Sequence, residues 1–175
     1  LGFIDRDNEI ADTQAMTVSV DDLLDPTHIQ HLASMIDPSG RAPMLEASAS
    51  EDHPNTVYVI AVDQYGNVVS LIQSLFATFG SGLVVPDTGI VLQNRGSLFR
   101  FDEDHPNVFA PRRRPFHTLC PVIVMSNDRP WLAIGTPGGD GQTHTLTQVI
   151  NNIALFGMTP QEAIDAPRLR RLNDG

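Results

Sequence analysis

Thr56-Val57-Tyr58-Val59-Ile60-Ala61-Val62 is the stretch on which the fold turns. It is rich in β-branched residues and almost continuously apolar, which predicts a buried strand. Asp63-Gln64-Tyr65-Gly66-Asn67 supplies turn chemistry, and Val68 to Leu75 reads as the returning arm of a hairpin. Further short strands are expected at Gly89 to Leu92, Pro121 to Ser126 and Trp131 to Ile134, with Asn127-Asp128 joining the last two.

Away from this hairpin the pattern turns helical. Leu146, Val149, Ile150 and Ile153 recur at one helix face, which Gly157 ends. Thr159-Pro160-Gln161-Glu162 has the spacing of a capping box with proline at the first helical position. Upstream, residues 1–55 read as helices and loop. Ser19 caps a short helix from Val20, Pro26 stops it, and a second helix runs from about Thr27 to Ile36. The Pro-, Ser- and Ala-rich run from Asp37 to Pro54 reads as a linker. Strands, a glycine turn and then helices point to an α+β fold of helices layered on a sheet.

Composition narrows the function. The 175 residues carry a net charge of −10, which argues against nucleic acid or an anionic membrane surface as partner. No apolar run is long enough to span a membrane. All 11 basic residues are arginine, and six of them cluster at Arg112-Arg113-Arg114 and at Arg168, Arg170 and Arg171. Cys120 is the one cysteine, so no disulfide forms within the chain. His28, His31, His53, His105, His117 and His144 lack the companion ligands of a zinc site, and neither metal nor cofactor is expected. The pentapeptide at 51–55 recurs at 103–107, a coincidence of two acidic loops rather than a repeat architecture.

Two places could carry chemistry. Thr56 stands where a polar loop meets the strand, directly after Asn55. A threonine hydroxyl needs a base beside it, and a chain cut before Thr56 would supply its own α-amine. Its alternative role is simply that of a first strand residue. Gly135-Thr136-Pro137-Gly138-Gly139-Asp140 lies between strand and helix, where two glycines can aim backbone N–H groups at a developing oxyanion. Its alternative is an ordinary turn. It lacks the spacing of a phosphate loop.

These segments, with Phe79-Gly80-Ser81-Gly82, Gly89-Ile90-Val91-Leu92-Gln93-Asn94, Arg114-Pro115 and Asp165-Ala166-Pro167-Arg168, resemble in order the γ-glutamyltranspeptidase family of N-terminal-nucleophile hydrolases. The resemblance implies part of a four-layer αββα sandwich. Residues 1–55 would be the end of a large-subunit-like region, and 56–175 the core of a small-subunit-like catalytic region. It implies autocleavage between Asn55 and Thr56, with Thr56 as nucleophile and N-terminal amine base. Ser74 would orient it, and Gly138 and Gly139 would form the oxyanion hole. Phe76, Arg95, Leu98, His117 and Thr118 stand where transpeptidases carry asparagine, glutamine, aspartate and two serines. That departure resembles the cephalosporin-acylase-like branch. The implied partners are a small amide or γ-glutamyl substrate and the remainder of both subunits, since members of the family are longer. A cytoplasmic, periplasmic or extracellular location is equally open. Against the enzyme stand two other readings: an inactive fragment or pseudoenzyme that self-associates as a homo-oligomer, and an acidic binding module.

Overall fold

The computed structural model describes residues 1–40 and 56–169. The expected linker from residue 41 onward, the first copy of the pentapeptide, Asn55, Arg170 and Arg171 lie outside the described residues. The chain divides into two compact units, residues 1–40 with 95–117 and residues 56–94 with 118–169.

The second unit is α+β. Strands β1 (Thr56–Val62) and β2 (Val68–Ser74) form an antiparallel hairpin in which Thr56 is registered with Ser74 and Val62 with Val68. The connecting loop is organised by Asp63, whose carboxylate accepts from the Tyr65 and Asn67 N–H groups, with Gly66 at φ 84°. A second hairpin pairs β3 (Val122–Ser126) with β4 (Arg129–Ile134). Asn127 and Asp128 both have positive φ, 49° and 60°, as a two-residue turn matched to strand twist requires. Helices α4 (Gly141–Ala154) and α5 (Pro160–Asp165) follow. Leu146, Val149 and Ala163 are buried on them, the Thr159 capping box forms as its spacing predicts, and Gly157 turns the chain at φ 69°.

Two expectations are corrected. The strand over Thr56–Val62 forms, but it is not buried: Val57, Val59, Ile60 and Val62 are 45–66% exposed. Val57 and Val59 share a face with Val69 and Leu71, also exposed; the opposite face meets the second hairpin at Ser70, whereas Ile60 and Val62 on that face stay exposed. A β-branched apolar run signals that both faces need cover, and among the described residues only part of one receives it. The expected strand from Gly89 to Leu92 is reduced to one antiparallel bridge between Val84 and Val91. Asp87 and Gly89, at φ 62° and 70°, fold the segment into a tight turn instead.

In the first unit, α1 (Gly2–Glu9) precedes α2 (Val20–Leu23) and α3 (Pro26–Ser34). Ser19 and Asp22 complete a capping box on α2. Pro26 begins the next helix rather than only ending the last, with Asp25 accepting from the Thr27 and His28 N–H groups. His28 pairs with Asp5 at 2.9 Å, which assigns it a structural role. Arg6 lies over the rings of Phe3 and Phe116. Asp12 binds the Arg114 backbone N–H at 2.9 Å and its guanidinium at 3.4 Å. Asn107, 5% exposed, donates to the Leu98 carbonyl and accepts from the Phe116 N–H, joining the 3-10 turn Arg95–Leu98 to the segment before His117.

Candidate active site

Thr56 begins β1 and Ser74 ends β2, so the register sets them directly opposite. The Thr56 hydroxyl donates to Ser74 Oγ at 3.2 Å. Ser74 Oγ also accepts the Phe76 N–H at 3.0 Å, which ties the hairpin end to the turn that follows. Phe76 sits at φ 76°, a conformation costing a bulky residue about 1 kcal/mol. Asn94 holds that turn from both sides of Phe76: its side-chain oxygen accepts the Ala77 N–H, and its own N–H donates to the Leu75 carbonyl. The strain is thus imposed by hydrogen bonds around the turn, and its result is a fixed Ser74 hydroxyl.

The glycine turn runs from the end of β4 into α4. Gly138 and Gly139 have φ of 126° and 52°, which side chains rarely adopt. Gly138 and Gly139 carbonyls accept the N–H groups of Gly141 and Gln142, starting the helix. No side chain caps α4, and its N-terminal dipole adds partial positive charge to the turn. Gln142 is fully buried in the first turn, and its side-chain oxygen accepts the Cys120 N–H at 3.0 Å. Burial pushes the Cys120 thiol above its ordinary range, which disfavours the thiolate that a nucleophile needs.

The remaining expected residues fall in both units. Phe76 and Thr118, the latter buried, belong to the unit that carries Thr56, Ser74, Gly138 and Gly139. Arg95 and His117 belong to the other. Arg95 is 5% exposed, and burial disfavours its charge. Desolvation, then the charges of Arg95 and Arg114, hold His117 below the usual imidazole range. The structure brings Thr56 and Ser74 into contact and sets Phe76 beside them. Asn94 was part of a sequence motif but carried no assigned role, because its effect depends on the left-handed turn it stabilises.

Among the described residues no group of three His, Cys, Asp or Glu side chains gathers in metal-ligand positions. Among the described residues no helix is long and apolar enough to cross a membrane.

Comparison with known proteins resolves the ancestry. The family model described as gamma-glutamyltranspeptidase matches residues 1–173. The chain belongs to the gamma-glutamyltranspeptidase family. It is 41% identical to the glutathione hydrolase-like YwrD proenzyme of Bacillus subtilis, over 95% of this chain and 31% of that one. It is 42% identical to the oxamate amidohydrolase proenzyme of Klebsiella pneumoniae, with the same two coverages. Among solved structures, the cephalosporin acylase of Bacillus halodurans matches with a TM-score of 0.81 at 36% identity, over 96% of this chain and 30% of that one. The gamma-glutamyltranspeptidase of Pseudomonas nitroreducens matches with a TM-score of 0.60 at 29% identity, over 65% and 64%. The chain therefore spans 31% of the length of the curated relatives above. The α+β architecture is that of N-terminal-nucleophile hydrolases in this family.

Proposed function

We propose that this chain carries the catalytic centre of an amide hydrolase or acyltransferase in which Thr56 is the nucleophile. The carrying observation is the 3.2 Å hydrogen bond from the Thr56 hydroxyl to Ser74, at the head of the strand whose first residue would become an N-terminus. Cleavage of the Asn55–Thr56 peptide frees the Thr56 amine. It would leave residues 1–55 as the end of a large-subunit-like segment and 56–175 as small-subunit-like catalytic core.

The freed amine has an ordinary pKa of about 8, so much of it is unprotonated near neutral pH. It takes the hydroxyl proton as Thr56 Oγ bonds to the substrate carbonyl carbon. The charge that develops on the carbonyl oxygen faces the Gly138 and Gly139 N–H groups. The carbon–nitrogen bond then breaks, and the leaving amine departs with that proton. Water, or an acceptor amine, cleaves the resulting ester, releasing the acyl group and restoring the hydroxyl.

Phe76, Arg95, Leu98, His117 and Thr118 replace the residues with which transpeptidases receive a γ-glutamyl group. Losing a carboxylate that pairs with a substrate ammonium costs several kcal/mol of recognition. This supports an amidohydrolase or acylase over a γ-glutamyl transferase, and the acylase match at a TM-score of 0.81 favours the same direction. The remainder of both subunits is proposed to cover the open face of Val57, Val59, Val69 and Leu71; a second copy of the chain is the alternative occupant. The test of specificity is transfer from γ-glutamyl-p-nitroanilide to glycylglycine. Slow or absent transfer is expected, and robust transfer overturns the amidohydrolase assignment.

A further inference from the structure

We propose that Tyr58 is a positioning residue that sets the separation between the Thr56 hydroxyl and the Gly138-Gly139 turn, with Gly135 as the seat of its ring. This rests on the reading of Thr56 as nucleophile. Thr56 and Tyr58 are two apart on β1 and project to the same face. Gly135 directly follows the last residue of β4, three residues before Gly138. The Tyr58 ring lies so close to it that a Cβ built on Gly135 would sit 2.4 Å from Cδ2 and Cε2 and 2.7 Å from Cζ. Unlike Gly138 and Gly139, Gly135 does not adopt a positive φ, so what its missing side chain provides is space.

The far end of the ring is also tied. Tyr58 Oη and Ser70 Oγ are 2.7 Å apart, and the Ser70 hydroxyl donates to the Val122 carbonyl at 3.3 Å. Serine has one proton, so Tyr58 is the donor in the first bond. Val122 is registered with Ile134, the neighbour of Gly135. Tyr58, Ser70, Val122, Ile134 and Gly135 therefore close a loop that joins the nucleophile strand to the strand feeding the oxyanion turn. A ring that shifts on its seat changes the reach from nucleophile to turn, and a misplacement of ~1 Å costs about 100-fold in rate.

The test compares Tyr58→Phe, Gly135→Ala and the double variant Gly135→Ala/Tyr58→Val with wild type. The readouts are the rate of cleavage at Asn55–Thr56 by intact mass, and kcat and KM for the p-nitroanilides of γ-glutamate and glutarate. Gly135→Ala should lower kcat about 100-fold with little change in KM. The smaller residue in the double variant should restore about 10-fold of that loss, a rescue that general destabilisation does not produce. Tyr58→Phe, which keeps the ring but not its tether, should lower kcat about 3- to 10-fold. If Gly135→Ala yields no folded protein, Tyr58→Phe decides alone. Gly135→Ala at wild-type kcat, no rescue in the double variant, or Tyr58→Phe unchanged overturns the positioning role. A wild-type protein that is neither cut nor active on either substrate fails earlier, at the nucleophile itself.

Discussion

Thr56 and Ser74 face one another across the last rung of the first hairpin, their hydroxyl oxygens 3.2 Å apart and the Thr56 proton directed at Ser74. Because Ser74 Oγ also receives the Phe76 N–H, it is held from a second direction and can orient the threonine without itself being the base. Ser74→Ala should therefore lower kcat about 10- to 100-fold while leaving KM nearly unchanged. Ser74→Thr, which retains the hydroxyl, should stay within a few-fold of wild type. Steady-state kinetics check both, and an Ala variant with unaltered kcat would remove Ser74 from the site.

Acid sensitivity should be traceable to Asp12. The backbone N–H of Arg114, then its side chain, lower the Asp12 pKa from 3.8 to about 2. A carboxylate depressed on folding contributes stability that is fully present above its unfolded pKa and is lost as pH falls toward its folded one. Wild type should lose that contribution between about pH 4 and pH 2. Asp12→Asn should be less stable at neutral pH and show a shallower decline in that window. Asp22, Asp25, Asp37, Asp63 and Glu162 are lowered too, so some slope remains. Thermal unfolding across this range provides the comparison, and parallel pH profiles would contradict the assignment.

Asn107 should be costly to remove, although it touches no reacting atom. Its buried amide serves the Leu98 carbonyl and the Phe116 N–H, two groups left unpaired by Asn107→Leu. Each such loss costs about 1–3 kcal/mol, so about 2–6 kcal/mol is expected in total. Asn107→Asp retains the acceptor for Phe116 but turns a carboxylate toward the Leu98 carbonyl, so it should also destabilise. Urea denaturation measures both, and a Leu variant within ~0.5 kcal/mol of wild type would show that those groups find other partners.

Local chemistry was readable from residue order. The hairpin followed from β-branched residues around Asp63-Gln64-Tyr65-Gly66-Asn67, and the caps at Ser19 and Thr159 from side chains that bond within three residues. Less legible was anything that depends on distant packing. The apolar run at Val57–Val62 reported a strand but not its exposure, since periodicity states what a face needs and not what lies against it. The positive φ of Phe76 had no signal in the residue itself, because it is imposed by Ser74 and by Asn94, 18 positions further on. Gly135 read as part of a strand-to-helix turn, whereas its missing side chain leaves room for Tyr58.

The nucleophile assignment is tested most directly by intact-mass spectrometry of the purified protein beside its Thr56→Ala variant. Wild type should give two chains divided between Asn55 and Thr56, and the variant a single uncut chain. An uncut wild type, or a variant cut at the same bond, would contradict the assignment of Thr56 as an activated N-terminal nucleophile.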